Sequence, residues 1–250
     1  MNASISVQDS DLEFDSGTFD SASFTAETLA NWQSLAAAID HTLLKPDATR
    51  EQVEAHCAEA ARYRFACAVV NPVWATTAVS LLAGTGIPVG VVLGFPFGAS
   101  LVSTLRQEAA ALIRLGAREL GMVLPIGQLK SGNHHAVEHA IRAAAHVAHH
   151  SGAILKVNLE TCLLTMQEKL RASEIAIHAG ADLISTATGF ASGGATPADV
   201  ALIRGVAGAR CGVKASGGIR TLADVKTMLE AGANRIGSSA SVAIVRELGA

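Results

Sequence analysis

Charge and aromatic rings are both scarce in this 250-residue chain. Only 16% of its residues are charged and 4% are Phe, Trp or Tyr, with a formal net charge of −3. That balance excludes the basic surface through which nucleic-acid binders work. Nowhere does the chain hold the ~18 consecutive uncharged apolar residues of a membrane span, and its start lacks the basic and apolar stretches of a secretory leader. These absences read as a cytoplasmic protein with neither nucleic acid nor membrane as partner. The four cysteines, Cys57, Cys67, Cys162 and Cys211, are widely spaced, and three lie in apolar surroundings. They read as reduced, mostly packed thiols rather than a disulfide framework. Basic residues are missing altogether before Lys45. The acidic, Ser- and Thr-rich stretch 1–26 holds too little apolar surface to fold alone and is expected to be a disordered tail. The alternative is an arm that docks on a neighbouring subunit through Phe14, Phe19 and Phe24.

What is abundant is apolar material, half of all residues, enough for a large core. From residue 27 onward strand-like runs (37–43, 66–70, 88–93, 119–124, 153–159, 182–186, 212–215 and 235–237) alternate with helix-like segments. The helices are expected at about 49–63, 73–84, 100–115, 133–150, 166–179, 197–207 and 221–231, with a last one from 239. A short helix near 27–35 precedes them. Eight strand–helix units in roughly 220 residues predict a parallel sheet closed into a single (β/α)8 TIM barrel spanning 27–250. An open sheet is the alternative.

Two of the six lysines, Lys156 and Lys214, stand in the middle of apolar strands. A buried ammonium without a partner is costly, so such lysines are expected to face a polar cavity. A desolvated lysine beside a second cation is also a plausible amine nucleophile. In a barrel the chemistry sits at the C-terminal ends of the strands. Three glycine-bearing turns follow the last three strands there: Thr188-Gly-Phe190, Ser216-Gly-Gly-Ile219 and Gly237-Ser-Ser239. Such turns let backbone approach a ligand and point to a phosphate cradle. Six of the nine histidines fall within 134–150. They are expected on the barrel's outer surface, with no metal site. His41 is expected to be a packed or partnered histidine, Ser238 and Ser239 to cap the last helix, and Glu119 and Arg235 to pair with charges at the barrel ends.

Several longer stretches carry a resemblance. They include Ile39-Asp-His-Thr-Leu-Leu-Lys-Pro46, Gly90-Val-Val-Leu-Gly-Phe-Pro-Phe-Gly98, Leu155-Lys-Val-Asn-Leu-Glu-Thr161, Gly180-Ala-Asp-Leu-Ile-Ser-Thr-Ala-Thr-Gly-Phe190, Gly212-Val-Lys-Ala-Ser-Gly-Gly-Ile-Arg-Thr221 and Arg235-Ile-Gly-Ser-Ser239. In order and spacing, over about residues 28–248, the chain resembles the deoxyribose-phosphate aldolase family. The resemblance implies a class I aldolase that uses a lysine Schiff base, no metal and no cofactor. It implies a small phosphorylated carbonyl substrate and a homo-oligomer, dimer or higher. It also exposes two departures. The family's Schiff-base lysine position is Ser185, and its proton-transferring aspartate position is Gly121. A family cysteine on the second strand corresponds to Val69. Lys214 and Lys156 match retained lysines, Asp40 and Thr42 match pocket residues, and Gly189, Gly217, Gly218, Gly237 and Ser238 match the phosphate cradle. Three functions follow. The first is an aldolase whose nucleophile is relocated to Lys214, or to Lys156, with Glu160, Asp40 or a water moving protons. The second is non-imine chemistry on a phosphorylated carbonyl compound, with Ser185 as a hydrogen-bonding group. The third is a non-catalytic phosphosugar-binding pseudoenzyme.

Overall fold

A computed structural model describes residues 18–250. Strands β1 (Ile39–Leu43), β2 (Cys67–Val70), β3 (Val89–Leu93), β4 (Glu119–Val123), β5 (Ile154–Asn158), β6 (Leu183–Ser185), β7 (Gly212–Ser216) and β8 (Arg235–Ser238) pair in parallel in sequence order and close, β8 on β1, into a barrel. Eleven α-helices lie among the described residues: α1 (Ser21–Thr28), α2 (Trp32–Ala36), α3 (Arg50–Tyr63), α4 (Ala75–Leu81), α5 (Val102–Arg114), α6 (Ile126–Lys130), α7 (His134–His150), α8 (Met166–His178), α9 (Pro197–Ala207), α10 (Leu222–Glu230) and α11 (Ser241–Glu247). This is the expected single (β/α)8 barrel. None of these helices is long and apolar enough to cross a membrane.

Local chemistry starts the helices where the sequence changes character. Thr49 with Gln52, Thr165 with Glu168 and Thr221 with Asp224 form reciprocal capping boxes at α3, α8 and α10, each satisfying two backbone donors that a helix start leaves free. Thr196 caps α9, whose first residue, Pro197, has no amide hydrogen to leave unpaired. On α7, Val137, Ala140, Ile141, Ala144, Ala145 and Ala148 are buried at three- and four-residue spacing, while the six histidines of 134–150 are exposed on the opposite side, as expected.

Strand alternation divides the barrel into two compartments. Outward-facing Ile39, Val70, Val91, Leu120, Met122, Leu155, Val157, Ile184, Val213 and Ile236 join the helices in one continuous apolar core. His41 also faces outward, stacked between His56 and Phe65 at ring-centroid distances of 4.0 and 4.8 Å, with Nε2 3.0 Å from Glu59. Inside the barrel the apolar cluster is small: Cys67, Val69 and Val92. Other inward positions carry the polar groups described below, and Gly90, Gly121 and Gly237 leave room between them.

The N-terminal expectation needs correcting for residues 18–26, while residues 1–17, Phe14 included, lie outside the described residues. Ser21–Thr28 is helical, begun by Asp20, whose carboxylate accepts from the Ser23 amide. Phe19 and Phe24 dock on their own barrel. Phe19 lies 4.0 Å from the Arg204 guanidinium, and Phe24 packs against the core. Arg204 is held rigid for this contact by the carbonyl oxygens of Gly208, Cys211 and Gly232 and by the Asn234 side chain. Cys57, Cys67 and Cys211 are buried, Cys162 is exposed, and all four are free thiols.

Candidate active site

At the C-terminal mouth of the barrel a cavity of about 410 Å³ opens. Its wall includes Thr42, Gly121, Lys156, Asn158, Ser185, Lys214 and the turns carrying Gly189, Gly217, Gly218, Gly237 and Ser238. Most of the residues singled out in the sequence therefore meet in one place. Asp40 is the exception: it is completely buried beneath the cavity and acts through the groups it holds.

That carboxylate organises the site. Its Oδ2 lies 2.6 Å from both Lys156 Nζ and Lys214 Nζ, and its Oδ1 accepts from Arg235 Nε at 2.6 Å. Glu119 pairs with Lys156 and accepts from Arg235 Nη2 at 3.0 Å. Glu119 and Arg235 are thus inward members of one network, not charges at the barrel ends as expected. The signal was available: Glu119 shares strand parity with Gly121, and Arg235 with Gly237. Asn158 and Ser216, missed in the sequence, share parity with Lys156 and Lys214 respectively.

The network joins two carboxylates to three cations and so carries an excess positive charge. An isolated excess charge in a low-dielectric interior is costly, which decides which cation is least well held. Arg235 keeps its proton: burial opposes its charge, but Asp40 and Glu119 overcome that and raise its pKa. Lys156 also loses solvation, yet Asp40 first, then Cys67 and Glu119, hold its pKa above the ordinary lysine value. Lys214 has only Asp40, which it shares with two other cations. Burial lowers its pKa, the Lys156 charge adds to that, and Asp40 compensates in part. Burial and a second cation therefore depress Lys214 and not Lys156. Asp40 lies well below the usual carboxylate range: burial raises its pKa, but its three cations outweigh that. It is accordingly a poor proton acceptor.

The ligand atoms of Asp40, Cys67 and Glu119 lie within 4.8 Å of one another, a spacing a metal could use. Their carboxylates are already neutralised by two lysines and an arginine, so the trio does not fit a metal ion.

Ser185 borders the cavity next to Lys214, its register partner on β7. The Ser216 hydroxyl donates to Ala187 O at 2.7 Å, so the 2.8 Å contact between the two serine hydroxyls has Ser185 as donor. Ser185 therefore offers only lone pairs to a bound molecule. Glu160, considered as a proton carrier, is engaged elsewhere. Its backbone is left-handed at φ 56°, and its carboxylate accepts from the amide and the hydroxyl of Thr188. It fixes the turn that presents Gly189.

The glycines divide by physical cause. Gly189, Gly217 and Gly218 have φ of +84°, +93° and +82°, and an added Cβ at Gly189 or Gly218 would meet only open space. They are glycines for the backbone turn. At Gly237 a Cβ would come within 2.7 Å of Lys214 Cε and 2.9 Å of Ser216 Cβ. Its role is to let the lysine pass, which the sequence reading, assigning it to an anion cradle, missed. Ser238 spends its hydroxyl on Ile219 O and accepts from the Ala240 amide, while α11 has Ala240 at its N-cap and no side-chain cap. Ser238 thus braces the turn before α11 and is not a cap of the helix itself.

Fold and site together define a barrel enzyme scaffold with a desolvated amine and a glycine-built rim at its catalytic end. The profile of the DeoC/LacD family aldolases matches residues 34–246, and the chain belongs to that family. It is similar to the deoxyribose-phosphate aldolase of a Geobacillus species, 50% identical over 212 residues that cover 85% of this chain and 95% of that protein. Against the deoxyribose-phosphate aldolase of Caldanaerobacter subterraneus it is 48% identical over 222 residues, 88% of this chain and 95% of the relative. Among solved structures, the tetrameric deoxyribose phosphate aldolase of Aeropyrum pernix superposes with a TM-score of 0.84 at 33% identity, covering 91% of this chain and 96% of that one.

Proposed function

We propose that this protein is a carbon–carbon lyase of the aldolase type, acting on a small phosphorylated sugar or aldehyde, with Lys214 as the amine that forms the imine. The observation that carries the reading is the unequal sharing of Asp40. Of the two lysines on the cavity wall, Lys156 has a second carboxylate and Lys214 does not. The lysine with the weaker hold on its proton is the better nucleophile at neutral pH.

In this reading the neutral Lys214 amine adds to the substrate carbonyl carbon. The carbonyl oxygen leaves with the two amine hydrogens as one water, and the resulting imine takes up a proton from solvent. Lys156, kept charged, stabilises the oxygen as it gains negative charge. Thr42 and Asn158 line the path of the carbon chain. The turns at Gly189, Gly217 and Gly218, with the exposed Arg220 at the rim, receive the phosphate through backbone amides and one guanidinium. A cytoplasmic location and self-association remain parts of the proposal.

The test is borohydride reduction in the presence of an aldehyde substrate, followed by peptide mapping. A reduced adduct on Lys214 is expected, and Lys214→Met should lower kcat for carbon–carbon cleavage by about a thousandfold or more. Absence of any adduct, with a phosphorylated ligand still bound, would overturn the imine and favour a binding protein.

A further inference from the structure

Gly121 is the half-exposed residue in a strand whose four other residues are buried. Its exposure is to the cavity, whose wall it forms. An added Cβ there would meet nothing nearer than Val92 Cγ1 at 3.8 Å and Val91 O at 3.9 Å. Gly90, on the neighbouring strand, is different: a Cβ would lie 2.7 Å from Cys67 Sγ. One glycine is filled around, and the other has room for a side chain and faces the cavity, a hollow in its wall.

The hollow has a charged neighbour. Gly121 and Lys156 are register partners on β4 and β5, and adjacent strands lie about 4.8 Å apart. Lys156 and Lys214 both reach the same oxygen of Asp40, so their amines are neighbours around it. The cluster has one cation more than it has carboxylates. Loss of the Lys214 proton relieves that excess, and a protonated imine at Lys214 restores it.

We propose that the donor substrate carries its own carboxylate, next to the carbonyl, and that this group occupies the hollow at Gly121 beside Lys156. The donor is a 2-oxo acid, and the cleaved substrate is a phosphorylated 4-hydroxy-2-oxo acid. In such a donor the carboxylate carbon is bonded directly to the carbon that Lys214 attacks. A carbonyl held at Lys214 therefore delivers the carboxylate to the neighbouring amine with no further chain length. The added negative charge matches the positive charge that the protonated imine regains. Glu119 does not oppose this strongly, since its oxygens are already engaged by Lys156 and Arg235.

The inference rests on Lys214 as the imine-forming amine. The chemistry balances without a metal or redox partner. The amine and the 2-oxo acid give imine and water. C3 then loses a proton to water, and the resulting enamine forms a bond to the aldehyde carbon of the phosphorylated acceptor, whose oxygen takes up a proton. Hydrolysis returns the amine.

The test offers the full chain equal concentrations of pyruvate and acetaldehyde, with borohydride, and reads the two adducts on the Lys214 peptide by mass spectrometry. The pyruvate adduct should dominate by about tenfold or more, the size expected of a hydrogen bond to a charged group. Gly121→Asp fills the hollow with a like charge and should shift the ratio towards acetaldehyde by about a hundredfold. Gly121→Asn fills the same space without charge and should shift it less. If acetaldehyde dominates in the unaltered protein with the adduct on Lys214, the inference is overturned and the imine reading stands. If neither compound marks Lys214, both fall. Should Gly121→Asp not fold, the ratio in the unaltered protein decides alone.

Discussion

Replacing Asp40 with Asn keeps the shape of the side chain and removes the charge at the centre of the network. Three cations then surround an amide, and Glu119 is the remaining carboxylate. The buried excess rises from one positive charge to two. Removing one partner from a buried ion pair costs about 3–5 kcal/mol, because the other is left uncompensated. For a barrel of this size that corresponds to a fall of about 10 °C in Tm. The sign of the pH dependence follows from Lys214. Its folded-state pKa is already below the ordinary value and would fall further without Asp40. A depressed lysine pKa means that stability rises as pH climbs from the folded value towards the unfolded one, about 10.4. The destabilisation of Asp40→Asn should therefore be largest near neutrality and shrink towards pH 10. Thermal melts of both proteins at pH 7 and pH 9.5 measure it. A variant that melts with the original protein, or a gap that widens with pH, would refute the idea that Asp40 balances the cations.

Three further outcomes are expected. Gly237→Ala sets a methyl 2.7 Å from Lys214 Cε, so the lysine must move; kcat should fall about a hundredfold or more while urea titration shows a loss of about 1–3 kcal/mol. Burial pushes His41 down to about 4, even with half-exposed Glu59 beside it, and burial with the adjacent His41 pushes His56 down to about 3. Their contribution, up to about 3 kcal/mol for His41, is present above pH 6.5 and lost as pH falls towards 4; His56→Phe should flatten the acid limb of a urea-midpoint profile, and an unchanged limb would exclude the pair as its cause. The double change Ser185→Lys with Gly121→Asp adds one cation and one carboxylate to the cavity and should gain cleavage of deoxyribose 5-phosphate, whereas Ser185→Lys alone should be less stable than the double variant by about 1–3 kcal/mol; equal stabilities would show that the two positions do not share a field.

The barrel was legible because its periodicities are clean. Each expected strand overlaps an observed one, with small differences at the ends that have physical causes. β6 stops at Ser185 because the Thr186 hydroxyl bonds the backbone of Ser216 and carries the chain across to β7. The helix expected over 73–84 is a 3-10 turn at Pro72–Trp74 followed by α4, since Pro72 starts a tighter turn. Helix α1 was missed because its polar composition hides its anchors, the Phe19 ring on Arg204 and Phe24 on the core; these partners are remote in sequence. In the site, Lys156 and Lys214 stood out against apolar strands, whereas Glu119 and Arg235 begin theirs and looked like strand-end charges. Which lysine holds its proton was not legible at all. It depends on Glu119 touching Lys156 and not Lys214, a side-chain contact between the adjacent strands β4 and β5 that strand parity alone does not assign.

That asymmetry bears on Ser185 and Gly121, the two positions where the family resemblance implies lysine and aspartate. The two departures remove one positive and one negative group, so the net charge of the interior is the same with both as with neither. Loss of the aspartate alone would raise the buried excess to two positive charges, at a cost comparable with a large part of a domain's stability, whereas loss of the lysine alone would cancel the excess. The remaining network is self-sufficient: Asp40 ties β1 to β5, β7 and β8, and Glu119 ties β4 to β5 and β8. Within it one lysine must be the weakest-held cation, and the geometry gives that place to Lys214, on the strand beside Ser185. The imine proposed at Lys214 is compatible with that charge balance.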